Sequence, residues 1–268
     1  TATGVDGWRV DELRLLPDSM LSRLCDFFTR VEQEGEWPDC LATGFVTMLS
    51  KGEGAMPTDL RPITVTSVLY RLWSASRVRE VLQWQESWAG HSLYGFRVDR
   101  SCEDSFWQTA LDVEHALLTG EPLHGVCLDF SKGFDRVPQE HIFQLAARAG
   151  MAGPVLKALR GVYGQMSRRF RFNGMVGEPF ESTNGILQGC PLSIVLLNLL
   201  MVVWSKSIEA DLPSVSTKCY AYDDASATTA GPVPVIGQVV EETQVFSRLT
   251  GARLNVKKTH AWSCSPAG

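Results

Sequence analysis

Residues 219–226 read C-Y-A-Y-D-D-A-S. Two adjacent carboxylates, Asp223 and Asp224, stand between aromatic and small residues on one side and Ala225-Ser226 on the other. Ionised acids side by side are costly where their flanks favour burial, because each needs a cation or hydrogen-bond donors. The pair is therefore either an exposed turn or part of a metal site. The wider stretch S-T-K-C-Y-A-Y-D-D-A-S-A-T-T (216–229) reads as two strands joined at the acids.

Residues 123–130, L-H-G-V-C-L-D-F, form an apolar strand pattern that ends in a third acid, Asp129. If this strand neighbours the acid hairpin, three carboxylates meet at one sheet edge. Hard divalent cations such as Mg²⁺ take oxygen ligands, commonly one or two carboxylates plus substrate phosphates. Two such ions about 3.5–4 Å apart stabilise both the attacking and the leaving oxygen in phosphoryl or nucleotidyl transfer. Taken singly, the same acids read equally well as a turn-forming dipeptide and a helix cap.

The chain of 268 residues has room for one large or two modest domains, and 44% hydrophobic with 21% charged residues is a globular composition. A formal net charge of −5 argues against a protein that simply coats nucleic acid, though not against a local basic groove. Three basic runs, Arg77-Val78-Arg79, Arg168-Arg169-Phe170-Arg171 and Lys257-Lys258, read as solvated faces. Seven scattered cysteines include no C-x-x-C spacing, which indicates neither a zinc site nor a disulfide framework. Reduced thiols and an intracellular setting, nucleus or cytoplasm undetermined, are expected. The longest apolar run, 191–204, is too short for a membrane span and contains Asn198. A start at Thr1 without a signal peptide and a soft S-P-A-G tail suggest a segment of a longer protein.

Leu13, Leu16, Met20 and Leu24 recur at helical spacing near the start. Residues 45–49 are strand-like, and R-P-I-T-V-T-S-V-L-Y (61–70) opens with β-branched residues and turns helical by Leu72. Helical patterns follow at 103–118, at 138–149 before Gly150, and from 154 to about 164. R-F-R-F-N-G-M-V (169–176) alternates with period two and turns at Asn173-Gly174, which predicts a hairpin. A glycine-rich turn at 185–189 feeds a long apolar helix after Pro191. One more helix, about 235–249, ends at Gly251, and a last hairpin is centred on 255–258. Segregated helices and hairpins with little βαβ alternation predict an α+β protein with a mostly antiparallel sheet.

L-D-F-S-K-G-F-D-R-V (128–137), G-I-L-Q-G-C-P-L-S (185–193) and A-Y-D-D (221–224) resemble the first catalytic motif, the second motif and the Tyr-Ala-Asp-Asp box of reverse transcriptases of the non-LTR retrotransposon and group II intron type. L-S-K…L-R-P-I-T-V (49–65) and L-Y-G-F-R…R-S-C-E-D (93–104) are similar to that family's finger blocks, and L-T-G-A-R-L-N-V-K-K-T (249–259) to the block after the catalytic box. Order and spacing agree from about Gly4 to Thr259. The resemblance implies a right-hand polymerase of α+β class, with an antiparallel palm sheet backed by helices. Residues 1–119 would be the N-terminal part of the fingers, and 120–268 the palm with a fingers segment at about 138–183. It implies extension of a DNA primer on an RNA template with dNTPs, using two Mg²⁺ ions or Mn²⁺ in their place, and no membrane.

On the matching positions, Asp129 and Asp223 would ligate the ions, with Asp224 alongside and the Phe130 carbonyl as a backbone ligand. Phe134 falls at the sugar gate, where an aromatic ring excludes a ribose 2′-hydroxyl. Gln188 and Gly189 would lie along the incoming nucleotide, with Lys51 and Arg61 at its triphosphate. Lys258 would donate a proton to the leaving pyrophosphate, and Arg97 would contact the template.

Three positions depart from the pattern. Tyr222 stands before the acids where a small or aliphatic residue is usual, and such crowding typically costs about 1–3 kcal/mol. Gly133 replaces the usual Ala, and Ile194 stands where Pro is frequent. The primer grip, the thumb, an endonuclease and an RNase H domain are not expected within this stretch, which would then bind template-primer poorly. The alternatives are an RNA-dependent RNA polymerase, against which Phe134 speaks, and an inactive module that binds RNA or protein, which Tyr222 favours. A two-metal nuclease accounts for the acids but not for Q-G-C-P-L-S or the finger blocks.

Overall fold

The computed structural model describes residues 2–50, 52, 60–221 and 224–264. Along the chain run α1 (Val10–Leu13), α2 (Asp18–Glu34), β1 (Thr43–Ser50), β2 (Leu60–Val65), α3 (Val68–Glu86), α4 (Cys102–Thr119), β3 (Leu123–Asp129), α5 (Gly133–Arg136), α6 (Gln139–Arg148) and α7 (Gly153–Gln165). They are followed by β4 (Ser167–Phe172), β5 (Met175–Phe180), α8 (Ser193–Asp211), β6 (Val215–Tyr220), β7 (Asp224–Thr229), α9 (Pro234–Thr250) and β8 (His260–Cys264). These elements make two compact units, Thr1–Val81 with Ala146–Ser193, and Leu82–Leu145 with Ile194–Gly268. Residues 82–119 pack in the second unit, where α4 touches β3, β6 and β8.

The first unit holds a sheet ordered β2-β1-β4-β5. Its β1–β4 pairing is parallel, the exception among otherwise antiparallel ladders. The β4–β5 turn is where the sequence puts it, with Asn173 at φ 48° and Gly174 at φ 79°; a type I′ hairpin turn needs both residues left-handed. Behind the sheet, Trp37 meets Tyr70 and Trp73 edge-on at ring-centroid distances of 5.5 Å. Buried indole N–H groups need acceptors. Trp37 Nε1 donates to the Ala158 carbonyl at 2.9 Å, and Trp73 Nε1 to Glu32 Oε1 at 2.8 Å. Asp6 caps α3 by accepting from the Val68 and Leu69 amides at 2.7 and 3.2 Å, which answers two of the four orphan donors of that helix start.

The second unit is built on an antiparallel sheet ordered β6-β7-β3-β8. Strand alternation puts Val126, Leu128 and the following Phe130 on one face, all buried, with Phe130 edge-on to Phe246 of α9 at 6.2 Å. The other face carries Asp129 and Cys127, and across the register Lys218, whose buried Nζ reaches Asp112 of α4 at 2.7 Å. Helix α8 is long and apolar enough to cross a membrane by length and composition, but two thirds of it is buried inside the protein. Its Trp204 Nε1 donates to Thr243 of α9 at 3.0 Å.

The expected hairpin at 255–258 is not formed. Leu254 bridges Phe130, and His260 to Cys264 then pair with Cys127 back to Leu123, so the chain keeps one direction along β3. Residues 255–259 loop out of that edge, closed by Lys258 and Thr259 amides on the Asn255 carbonyl at 3.0 Å each. Asn-Val-Lys-Lys is turn-forming, but a turn can bulge a strand as readily as reverse it.

Candidate active site

Asp224 opens β7 directly opposite Asp129, which closes β3, and Tyr220 ends β6 opposite Asp224. Residues directly opposed in antiparallel strands project on one face with Cβ atoms about 4.5–5.5 Å apart. Two carboxylates are thereby held side by side at a sheet end, an arrangement that like-charge repulsion disfavours unless a cation intervenes. One cation is supplied by the chain itself, since Lys258 Nζ lies 3.2 Å from Asp129 Oδ2. The lysine is 69% exposed and the aspartate 21%, so the pair is substantially screened. Two backbone bonds hold the looped-out segment here: the Asn255 amide donates to the Asp129 carbonyl, and the Ser131 amide to the Arg253 carbonyl, both at 2.8 Å.

Among the described residues no group of three or more His, Cys, Asp or Glu could hold a metal ion, and Asp223 lies outside them, as do Tyr222 and Lys51. The donor set present is all oxygen, which fits a hard divalent ion. Buried thiols are no competitors. Burial, and next Glu209, pushes the Cys219 thiol well up, and burial likewise raises Cys190; neither is a thiolate in the ordinary pH range.

Phe134 is half-buried on α5, five residues past Asp129, in a helix entered through left-handed Lys132 (φ 54°) and buried Gly133. Arg97 has a side chain 11% exposed that pairs with Glu86 and donates to the Gly90 and Leu93 carbonyls, stapling its own loop. In the first unit, the Gln188 carbonyl accepts from the Thr64 amide at 3.2 Å, and exposed Gly189 has φ 112°, open to glycine alone without strain. Arg61 is exposed on β2, opposite Leu49. The second unit thus brings together Asp129, Asp224 and Lys258, while the first carries Arg61, Gln188 and Gly189.

Sequence reasoning did not assign Asn198 a role beyond interrupting an apolar run. It is fully buried in α8 and donates to Gln85 Oε1 at 2.8 Å and to the Gly95 carbonyl at 3.0 Å. A lone amide among aliphatic residues at helical spacing was the available signal.

Residues 49–266 match the family model described as reverse transcriptase (RNA-dependent DNA polymerase). The chain belongs to this family. It is 24% identical over 266 residues to the Pol polyprotein of the type-2 retrotransposable element R2DM of Drosophila melanogaster, and 22% identical over 268 residues to an uncharacterised 149 kDa protein of transposon TX1 of Xenopus laevis. Each match covers 96% of this chain but only 24% and 20% of the relative, so the chain spans about a quarter or less of their length. Among solved structures it is similar to telomerase from Candida tropicalis in complex with a telomeric RNA fragment (TM-score 0.65, 14% identity, 91% of this chain and 45% of that one). The apo form truncated at its C-terminal domain is also similar (TM-score 0.62, 15% identity, 85% and 51%). The likeness shows the fold, that of reverse transcriptase fingers and palm. Reverse transcriptase domains use divalent metal ions.

Proposed function

We propose that this chain is the RNA-directed DNA polymerase domain of a retrotransposon-like element, extending a DNA primer on an RNA template with dNTPs. The observation that supports it best is the cross-strand register of Asp129 with Asp224 at the end of the second sheet, in a chain of this family. Asp129 and Asp224, with Asp223 and the Phe130 carbonyl, would hold two Mg²⁺ ions. When bound, such ions lower the pKa of the primer 3′-hydroxyl and offset charge on the departing pyrophosphate.

The chain's own residues do the rest. Asp129 and Asp224 orient the site and keep it anionic. Lys258, 69% exposed and held to Asp129 only by a screened ion pair, protonates the pyrophosphate oxygen. Phe134 closes the space a 2′-hydroxyl would need, Gln188 and Gly189 line the nucleotide, and Arg61 and Lys51 balance its phosphates. Primer extension on an RNA template tests this reading. Mg²⁺-dependent dNTP incorporation that disappears in Asp129→Asn and Asp224→Asn is expected. Equal activity in those variants, or preference for NTPs over dNTPs, would overturn it.

A further inference from the structure

Residues 92–96 run beside β6, the outer strand of the acid sheet. Leu93 forms a parallel bridge with Cys219; the Tyr94 amide donates to the Cys219 carbonyl at 2.8 Å, and the Cys219 amide to the Ser92 carbonyl at 2.7 Å. The segment therefore extends the sheet by one short strand on the side that leads into the acids. Gly95 abuts the turn itself, because a Cβ there would overlap the Ala221 amide nitrogen. Ala221 is left-handed at φ 57°, and so is Phe96 at φ 56°. Non-glycine residues in that region persist where their surroundings over-determine them.

Those surroundings are specific. Phe96 stacks on Tyr220, with centroids 6.3 Å apart and planes 28° from parallel, and Tyr220 is the register partner of Asp224. Two fully buried amides hold the backbone of the same two residues. Asn198 donates to the Gly95 carbonyl, Gln85 Nε2 donates to the Phe96 carbonyl at 2.7 Å, and Asn198 also donates to Gln85 Oε1. Desolvating an amide is costly unless it is bonded; Asn198 Nδ2 and both ends of the Gln85 amide are bonded here, while Asn198 Oδ1 has no partner, and the donors of both residues are spent on one loop at the foot of the acid turn.

We infer that residues 92–96 are a splint for the acid turn, with Asn198 and Phe96 as positioning residues that set where Asp224 stands opposite Asp129. The inference rests on the polymerase reading only in taking these acids to hold cations. Partners that orient acidic metal ligands act through the ligand, so their loss weakens ion binding and turnover while leaving nucleotide contacts alone.

The test uses the 268-residue chain with Asn198→Leu, branched like asparagine though bulkier and unable to bond, and Phe96→Ala, which touches only a half-exposed ring. Tb³⁺, whose luminescence nearby tyrosines sensitise, probes the acids, and Asp129→Asn identifies their signal. Each variant should weaken Tb³⁺ binding at the acids about tenfold or more and lower kcat of primer extension by a similar factor, at unchanged KM for dNTP. A folded Phe96→Ala chain with wild-type Tb³⁺ affinity and wild-type kcat overturns the inference, and this variant alone decides if Asn198→Leu fails to fold. Wild-type chain that binds Tb³⁺ at the acids yet extends no primer even with template-primer at saturation sinks the polymerase reading, and the splint is then judged by Tb³⁺ affinity. Wild-type chain that binds no Tb³⁺ there overturns the splint too.

Discussion

Lys258 and Gly161 show how differently two single residues can matter. Lys258 pairs with Asp129 at 3.2 Å, but at 69% exposure its ion pair contributes about 0–1 kcal/mol to stability. Lys258→Met should leave the urea midpoint nearly unchanged, whereas loss of a general acid should slow single-turnover extension about 100-fold. An unslowed variant would assign the proton to water. Gly161 has no chemistry, yet it lies where α7 crosses the end of α2, and a Cβ there would overlap the Gly35 carbonyl. Backbone cannot move aside as a side chain can. Gly161→Ala should therefore cost at least about 1–3 kcal/mol, read from urea denaturation, as other overpacked sites do.

Helices α2 and α3 are joined by a staple that neither helix reveals alone. Glu32 is 8% exposed; its carboxylate takes Arg77 Nε and Nη2 at 2.6 and 2.8 Å, besides the Trp73 indole. Its hydrogen bonds raise the Arg77 guanidinium above its ordinary pKa. Glu32→Leu leaves the Trp73 indole N–H without its acceptor and the 30%-exposed Arg77 with Glu80 alone, so a loss of about 1–3 kcal/mol is expected, with Glu32→Gln milder because one acceptor survives. A Glu32→Leu chain as stable as wild type would refute the staple. The sequence showed α2, α3 and Arg77 separately, but read Arg77 as solvated, because local pattern does not report a partner on another helix. The same blindness explains β1 and β4, whose parallel register joins Thr43 to Ser167. By contrast, the β6–β7 acid hairpin, the Asn173-Gly174 turn and the stop of α9 at Gly251 were legible, since turn chemistry and period are written in adjacent residues. The acids were legible as a site only through their order along the chain. That Asp129 faces Asp224, and that Lys258 sits on a bulge and not a hairpin, are matters of register between distant strands.

At the scale of the whole molecule, burial keeps two tyrosines and two cysteines among the described residues protonated. Burial raises the hydroxyls of Tyr70 and Tyr163 and the thiols of Cys190 and Cys219, the latter further raised by Glu209. Two of them touch: Tyr70 Oη lies 3.0 Å from Cys190 Sγ. All seven cysteines are free, and Cys25, Cys40, Cys102 and Cys127 are exposed. Iodoacetamide at mildly alkaline pH should therefore label those four and spare Cys190 and Cys219 until the chain unfolds, as intact mass and peptide mapping would show. The same groups set the direction of alkaline instability. Their folded pKa values exceed the unfolded ones, so the folded chain holds protons that the unfolded chain releases. Stability is whole below the unfolded thiol pKa, about 8.5, and falls above it by about 1.4 kcal/mol per pH unit for each such group until the folded pKa is reached. The two thiols act first and the two tyrosines join near pH 10. Urea midpoints should hold below pH 8.5 and fall steadily beyond it, and Cys219→Ala should flatten the first part of that fall. A midpoint that stays level from pH 8 to pH 10 would mean that the two thiols meet water in the folded chain.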